Sequence, residues 1–308
     1  MDIDFSVFHI EDTYMVQQIQ INLSSVKSNY QGFSRLIHLS EETAEISYTN
    51  ITIDFRAVSW FDANMCAPLG ALLYRLSRRL NTVNVINIPV PVEKILSKNS
   101  FLSNYGHAKR LDEWGTTIRY NRFEQKDDRY FGAYIERHFK YEAIPKMTPA
   151  LQKKFWESIF EIFSNAVIHS ETKLGIFTCG QFFPNRKRLD FSVTDLGIGM
   201  RKNLLKKRKL ALSAEQAINW AMEGQNTTKT GPIPGGLGLK LLREFITLNK
   251  GCIQVVSDKG FWEQDSNGNV ITKAFSYPFP GTVVNIEINT ADKNTYALSS
   301  EISTDDIF

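Results

Sequence analysis

The residues best able to do chemistry fall in four short clusters, in a fixed order, in the second half of the chain. In EIFSNAVIHS, Glu161 and Asn165 stand four apart, which places both on one face of a helix, away from its apolar stripe. A carboxylate there can orient and polarise a water, and an amide oxygen can ligate Mg2+. Taken alone, the pair reads equally as two solvated positions on an amphipathic helix. In DLGIG, Asp195 closes an alternating strand and can accept a hydrogen bond from an exocyclic amine. Gly197 and Gly199 let the backbone come close to a ligand, although a plain turn has the same composition. In PGGLGLKLL, Gly235, Gly236 and Gly238 precede a strongly apolar helix, whose N-terminal N–H groups suit phosphate. This run follows a long loop and lacks a Gly-Lys-Ser/Thr ending, so it is neither a dinucleotide fingerprint nor a Walker loop. Gly281-Thr282 opens the last strand with a hydroxyl able to reach a base; alone it is a strand start.

Positioning these clusters takes a helix, a sheet and a second helix. Thr148-Pro149 marks a helix start, with Thr as N-cap and Pro at the first helical position. Leu151, Phe155, Ile159, Ile162, Phe163 and Ala166 give that helix an apolar face. KLGIFTCGQFF and RLDFSVTD follow as strands around a PNRK turn. Leu189, Phe191 and Val193 alternate with Asp190, Ser192 and Thr194, which predicts one buried and one open sheet face. A helix is expected from Leu237 to Leu248, capped near Gly251, and CIQVVS, VITKAF and TVVNIEI read as the final strands. Upstream, ISYTNITIDF and VNVINIP read as strands. The leucine stripe 69, 72, 73, 76, 80 and the segment VEKILSKNSFL read as helices, with Asp62 as a cap for the first. Strand–helix alternation predicts a small parallel α/β unit. Residues 1–45 give only short, ambiguous segments.

The chain has 308 residues, enough for two domains, and its 43% hydrophobic and 22% charged content suits a buried core. A net charge of +3 does not argue for nucleic acid. RKNLLKKRK, Arg201 to Lys209, is basic but carries no interleaved aromatics, so it reads as a solvated helix. Cys66, Cys179 and Cys252 are scattered and odd in number, which fits a reducing compartment and no structural zinc. With no signal peptide and no apolar run of membrane length, the reading places the chain in the cytoplasm, with no membrane partner.

Together, in this order, the four clusters resemble the ATPase superfamily of gyrase, heat-shock chaperones, histidine kinases and mismatch-repair proteins (GHKL). Its N box matches Glu161 with Asn165, its glycine boxes Asp195–Gly199 and Gly235–Leu239, and its last motif Gly281-Thr282, over residues 148–290. The resemblance implies a Bergerat-type α/β sandwich, a mixed sheet with helices on one face, and ATP with Mg2+ between them. By that resemblance Asp195 binds the adenine amine with Thr282 helping through water, and Asn165 ligates Mg2+. Glu161 positions the attacking water or acts as base. Gly197, Gly199, Gly235, Gly236, Leu237, Gly238 and Leu239 line the nucleotide, and residues 200–234 form a lid. NAVIHS is closer to the anti-sigma-factor serine-kinase branch than to sensor kinases. Those kinases often carry Lys three residues after the N-box Asn, where this chain has Ile168; Lys229, Lys202 and His169 are candidate replacements. His138 is the only nearby phosphoacceptor candidate, and it reads better as a surface histidine.

IDFRAVSWFDANMCAPLGALL resembles a STAS domain over residues 46–105, with Asp54 and Asp62 at the two acidic positions. The phosphoacceptor serine, its neighbour and the glycine of that family are Ala63, Asn64 and Met65 here, so this loop is not expected to accept phosphate. An ordinary α/β unit is the competing description. The expected organisation is therefore a STAS-like regulatory or docking domain (1–120), a connector (121–147), the ATPase domain (148–290) and an acidic tail (291–308). The expected function is an ATP- and Mg2+-driven regulatory switch with weak ATPase activity and a protein partner, such as a STAS or sigma/anti-sigma-like regulator; a homodimer is compatible. Alternatives are a protein serine kinase acting on a separate STAS protein and a module that holds nucleotide without hydrolysing it.

Overall fold

A computed structural model describes residues 17–139, 144–223 and 237–301. The fold is mixed α/β, with a three-stranded parallel sheet, a five-stranded antiparallel sheet and a two-stranded parallel pair. The first sheet, of order β1-β2-β3, consists of β1 (Gln17–Val26), β2 (Thr49–Phe61) and β3 (Thr82–Ile86), all parallel. α1 (Tyr30–Glu42) and α2 (Cys66–Ser77) make the crossovers, and α3 (Val90–Lys98) follows β3. α1 was not legible as a helix, yet it has a sound start: the Asn29 side chain accepts from the Gly32 N–H at 2.9 Å. Asp62 does not cap a helix with its side chain. Its carboxylate instead accepts from Ser28 N and Trp60 Nε1, both at 2.8 Å.

The second sheet has order β4-β6-β7-β9-β8 and is antiparallel at every described pair, where a mixed sheet was expected. It comprises β4 (Thr117–Phe123), β6 (Ile176–Phe183), β7 (Arg188–Asp195), β8 (Cys252–Gln264) and β9 (Val270–Asn289). α4 (Asp128–His138) leads to the short β5 (Lys146–Met147) and the 21-residue α5 (Pro149–His169). α6 (Gly199–Arg208) and α7 (Ala214–Met222) follow β7, and α8 (Leu237–Asn249) precedes β8. The stretch read as a connector thus supplies part of β4 and all of α4, and Phe123, Phe131, Tyr134 and Ile135 belong to the core beneath α5. Two strands read separately, VITKAF and TVVNIEI, are one strand, β9, paired along its length with β8. Part of the expected tail is docked: β10 (Thr295–Tyr296) pairs with β5, and the Tyr296 ring meets Phe245.

Two cores flank the five-stranded sheet. On one face Leu189, Phe191, Val193, Ile253, Val255 and Ile286 pack with α5 and α8 residues such as Phe155, Ile159, Leu242 and Phe245. On the other, Phe177, Cys179, Val256 and Val283 share one cluster with Phe33 and Leu36 of α1, Leu69 and Leu73 of α2, and Ile51 and Ile53 of β2. α1 and α2 therefore lie between the two sheets. This overturns the expected open face of β7: Asp190, Ser192 and Thr194 are as buried as the apolar residues beside them. Sequence alternation marks polarity, and here the polar face is closed by the N-terminal segment. The seam is polar. Asn64 Nδ2 donates to Ser192 Oγ at 3.1 Å, Ser28 Oγ donates to Asn64 Oδ1 at 3.0 Å, and Gln254 Nε2 donates to the Ser28 carbonyl at 2.9 Å. No helix among the described residues is long and apolar enough to cross a membrane.

Candidate functional site

α5 begins as its sequence requires: Thr148 Oγ1 accepts from Leu151 N at 3.3 Å, and Pro149 occupies the first turn. Its apolar stripe enters the core, which leaves the four-residue series Glu161, Asn165, His169 along one flank. That flank walls a cleft enclosing about 930 Å³, part of it open to solvent. Val193 of β7 and Val284 of β9 form the apolar floor. Met200, Asn203 and Leu204 of α6 and Trp220, Ala221 and Met222 of α7 face α5 across it. The apolar walls with few polar groups are those of a small-molecule or cofactor site.

Of the residues singled out in the sequence, Glu161, Asn165, Asp195, Gly199, Leu239 and Thr282 line this one cleft. Gly197 and Gly238 adjoin it through hydrogen bonds to two of those residues. Gly235, Gly236 and Lys229, and the side chain of Leu237, lie outside the described residues, as does part of the expected lid. Ile168 is half exposed, and His138 ends α4 against Tyr134, apart from the cleft.

At one end stands Asp195, the last residue of β7, 4% exposed. Its Oδ1 accepts from Gly197 N at 2.8 Å. Directly across the ladder is Thr282, whose hydroxyl meets Ser257 Oγ at 3.0 Å. Ser257 also accepts from Met200 N at 2.9 Å, so the loop after β7, the start of α6 and the last strand are tied together. The loop docks on α5 because Gly197 has no side chain: a Cβ there would lie 2.1 Å from the Ser170 carbonyl oxygen, which accepts from Ile198 N at 2.8 Å.

At the other end Glu161 Oε2 accepts from Gly238 N at 2.9 Å, at the N-terminus of α8. The absence of a side chain at Gly238 leaves room for this approach, since a Cβ would stand 2.4 Å from that oxygen and 3.2 Å from Ser158 Cα. The described residues hold no group of three or more His, Cys, Asp or Glu side chains placed to hold a metal. Any Mg2+ here would therefore keep waters and take oxygens from a bound ligand, with the Asn165 amide oxygen on the cleft wall as the protein group able to hold it.

Burial pushes the Asp195 carboxyl up to about 7, against the opposing effect of N–H groups from Gly197 and Thr282. A raised acid pKa means the folded chain holds a proton that the unfolded chain has lost. This contribution to stability is greatest below pH 4, falls as pH rises, and levels off above 7. Thermal unfolding of the ligand-free protein should show this slope, amounting to roughly 4 kcal/mol at most between pH 4 and 8. Asp190 and Glu287, also raised by burial, slope the same way. Asp195→Asn should therefore flatten only part of the profile; an unaltered profile would mean that Asp195 is ionised throughout.

α6 and α7, expected as part of a lid, form walls of the cleft. Trp220 of α7 also lines the site. The available signal was the spacing of Met200, Asn203 and Leu204, one helical face beginning at the glycine box. No protein-family model and no curated protein matches the chain.

Proposed function

We propose that the chain is an ATP-binding regulatory switch of the GHKL type, with Mg2+ as cofactor and weak ATPase activity. One observation carries the reading: four clusters spread over more than a hundred residues meet in a single cleft, a buried carboxylate at one end and Glu161, Asn165 and the α8 N-terminus at the other. Asp195 accepts from the adenine amine, with Thr282 beside it. Asn165 offers its amide oxygen to the metal, and Glu161 orients water toward the terminal phosphate. Bound Mg2+ would screen phosphate charge and polarise the terminal phosphoryl group. The switch character rests on β7, which carries Asp195 into the cleft and Ser192 onto the opposite seam, where Asn64 of the STAS-like segment meets it. Ala63, at the position of the STAS phosphoacceptor, has no hydroxyl and is fully buried, which supports a covering layer and not a substrate in cis.

Calorimetry and phosphate release on the wild type, Asp195→Asn and Glu161→Gln test the reading together. Asp195→Asn should weaken ATP binding by about a hundredfold, since the one amide oxygen is held by the Gly197 N–H and the NH2 is left facing the adenine amine, where an acceptor is needed. Glu161→Gln should bind ATP and lose turnover. Equal ATP affinity in wild type and Asp195→Asn would sink the assignment of the adenine end. Label passing to an added STAS protein instead of water would turn the reading to a protein kinase, and tight binding without turnover to a holding module.

A further inference from the structure

We infer that Lys207, held by His169, supplies the cationic contact to the α- and β-phosphates of the bound nucleotide, in place of the lysine missing at Ile168. This rests on the nucleotide reading above and concerns a residue outside its four motifs. Met200, Asn203 and Leu204 of α6 face the cleft, and Lys207 continues that series with the spacing 200, 203, 204, 207. Its ammonium reaches His169 Nδ1 at 3.0 Å, and the His169 ring lines the cleft. An ammonium only donates, so Nδ1 accepts, and the imidazole anchors the charge at the rim, where it also acts on the nearby Glu171 carboxylate. Its neighbours in the basic run differ. Lys206 pairs with Glu171 at 2.6 Å and Arg201 with Asp258 at 2.7 Å, each directed to a carboxylate.

α5 fixes where along a nucleotide this charge falls. Glu161 meets the α8 N-terminus, and Ser170, next to His169, holds the Asp195 loop. His169 lies eight residues beyond Glu161, about 12 Å along the axis. The His169–Lys207 pair therefore stands nearer the adenine end, opposite the first phosphates and not the terminal one.

NMR-monitored titrations of adenosine, Mg·ADP and Mg·ATP into wild type, Lys207→Gln and Lys207→Arg test this. Lys207→Gln should weaken Mg·ADP and Mg·ATP by the same factor, about tenfold, and leave adenosine unchanged, with Lys207→Arg recovering most of the loss. Undiminished Mg·ADP affinity in Lys207→Gln overturns the inference, as does a loss confined to Mg·ATP, which would place the charge at the terminal phosphate. Weakened adenosine binding would show a merely structural role and overturn it too. Failure of the wild type to bind any of the three removes the nucleotide reading itself, a distinct result.

Discussion

Gly281→Ala is expected to destabilise the protein by about 3 kcal/mol or more and to abolish nucleotide binding in whatever fraction still folds. Gly281 has φ of +156°, in the range that disfavours side chains, and it faces the backbone at the end of β7. A Cβ there would lie 2.1 Å from the Asp195 carbonyl oxygen and 2.7 Å from Leu196 Cα. Both obstacles are main chain, so no rotamer change relieves them, and β9 must move away from β7. That shift separates Thr282 from Asp195 and pulls on the Ser257 hydroxyl, which donates to the Gly281 carbonyl at 3.1 Å. Gly106→Ala is the control. It has φ of +83° and open space where its Cβ would stand, so it should cost only about 1 kcal/mol, with binding unchanged. Urea denaturation of both variants, with ATP titration of the folded protein, measures the contrast. Equal stabilities would mean that β9 can slide at this point and that the glycine is not required by the site.

The same glycine shows which parts of the site the sequence could convey. The order of Glu161/Asn165, Asp195–Gly199, Gly238 and Gly281-Thr282 is legible because each is a local pattern of residue types. The Thr148-Pro149 start of α5 is equally local, and so is the end of α8. There Gly251 N donates to the Ile246 carbonyl at 3.0 Å, although Lys250, not Gly251, takes the left-handed conformation. Illegible were the features set by long-range packing. Polar alternation along β7 gave no sign that α1 and α2 would close its second face. β4 and α4, drawn from charge-rich sequence, were hidden because the ring cluster of Phe123, Phe131 and Tyr134 is formed by the packing of β4 on α4 and completed by Phe163 of α5. Cys66 and Cys179, far apart in sequence, share the Asn99 amide at 3.4 Å each across the interface.

Asn64→Asp is expected to cost about 3–5 kcal/mol at pH 8, and much less near pH 4, where the new carboxyl is protonated. Asn64 is 1% exposed, and both ends of its amide are engaged: Oδ1 accepts from Ser28, and Nδ2 donates to Ser192. Ser192 already directs its proton to Asn285 Oδ1, so an aspartate would bring an acceptor against an oxygen with no proton to give. The charge would also enter a small cavity whose wall includes Asp190 and Glu287, both already held above the usual carboxylate range by burial. Arg188 contacts Asp62, Asp190 and Glu287 at 3.3, 2.9 and 3.1 Å and has little left to offer a fourth carboxylate. Asn64→Ala, which removes the hydrogen bonds without adding charge, should cost about 1–3 kcal/mol with little pH dependence. The seam is also where the proposed switch is tested. Ser192 and Asp195 lie on one strand, so displacing the seam should displace the adenine end, and the folded Asn64→Asp protein should bind ATP more weakly than wild type at pH 8. If that variant is destabilised as expected yet binds ATP with wild-type affinity, the N-terminal segment is a structural cover for the sheet and the two faces of β7 act independently.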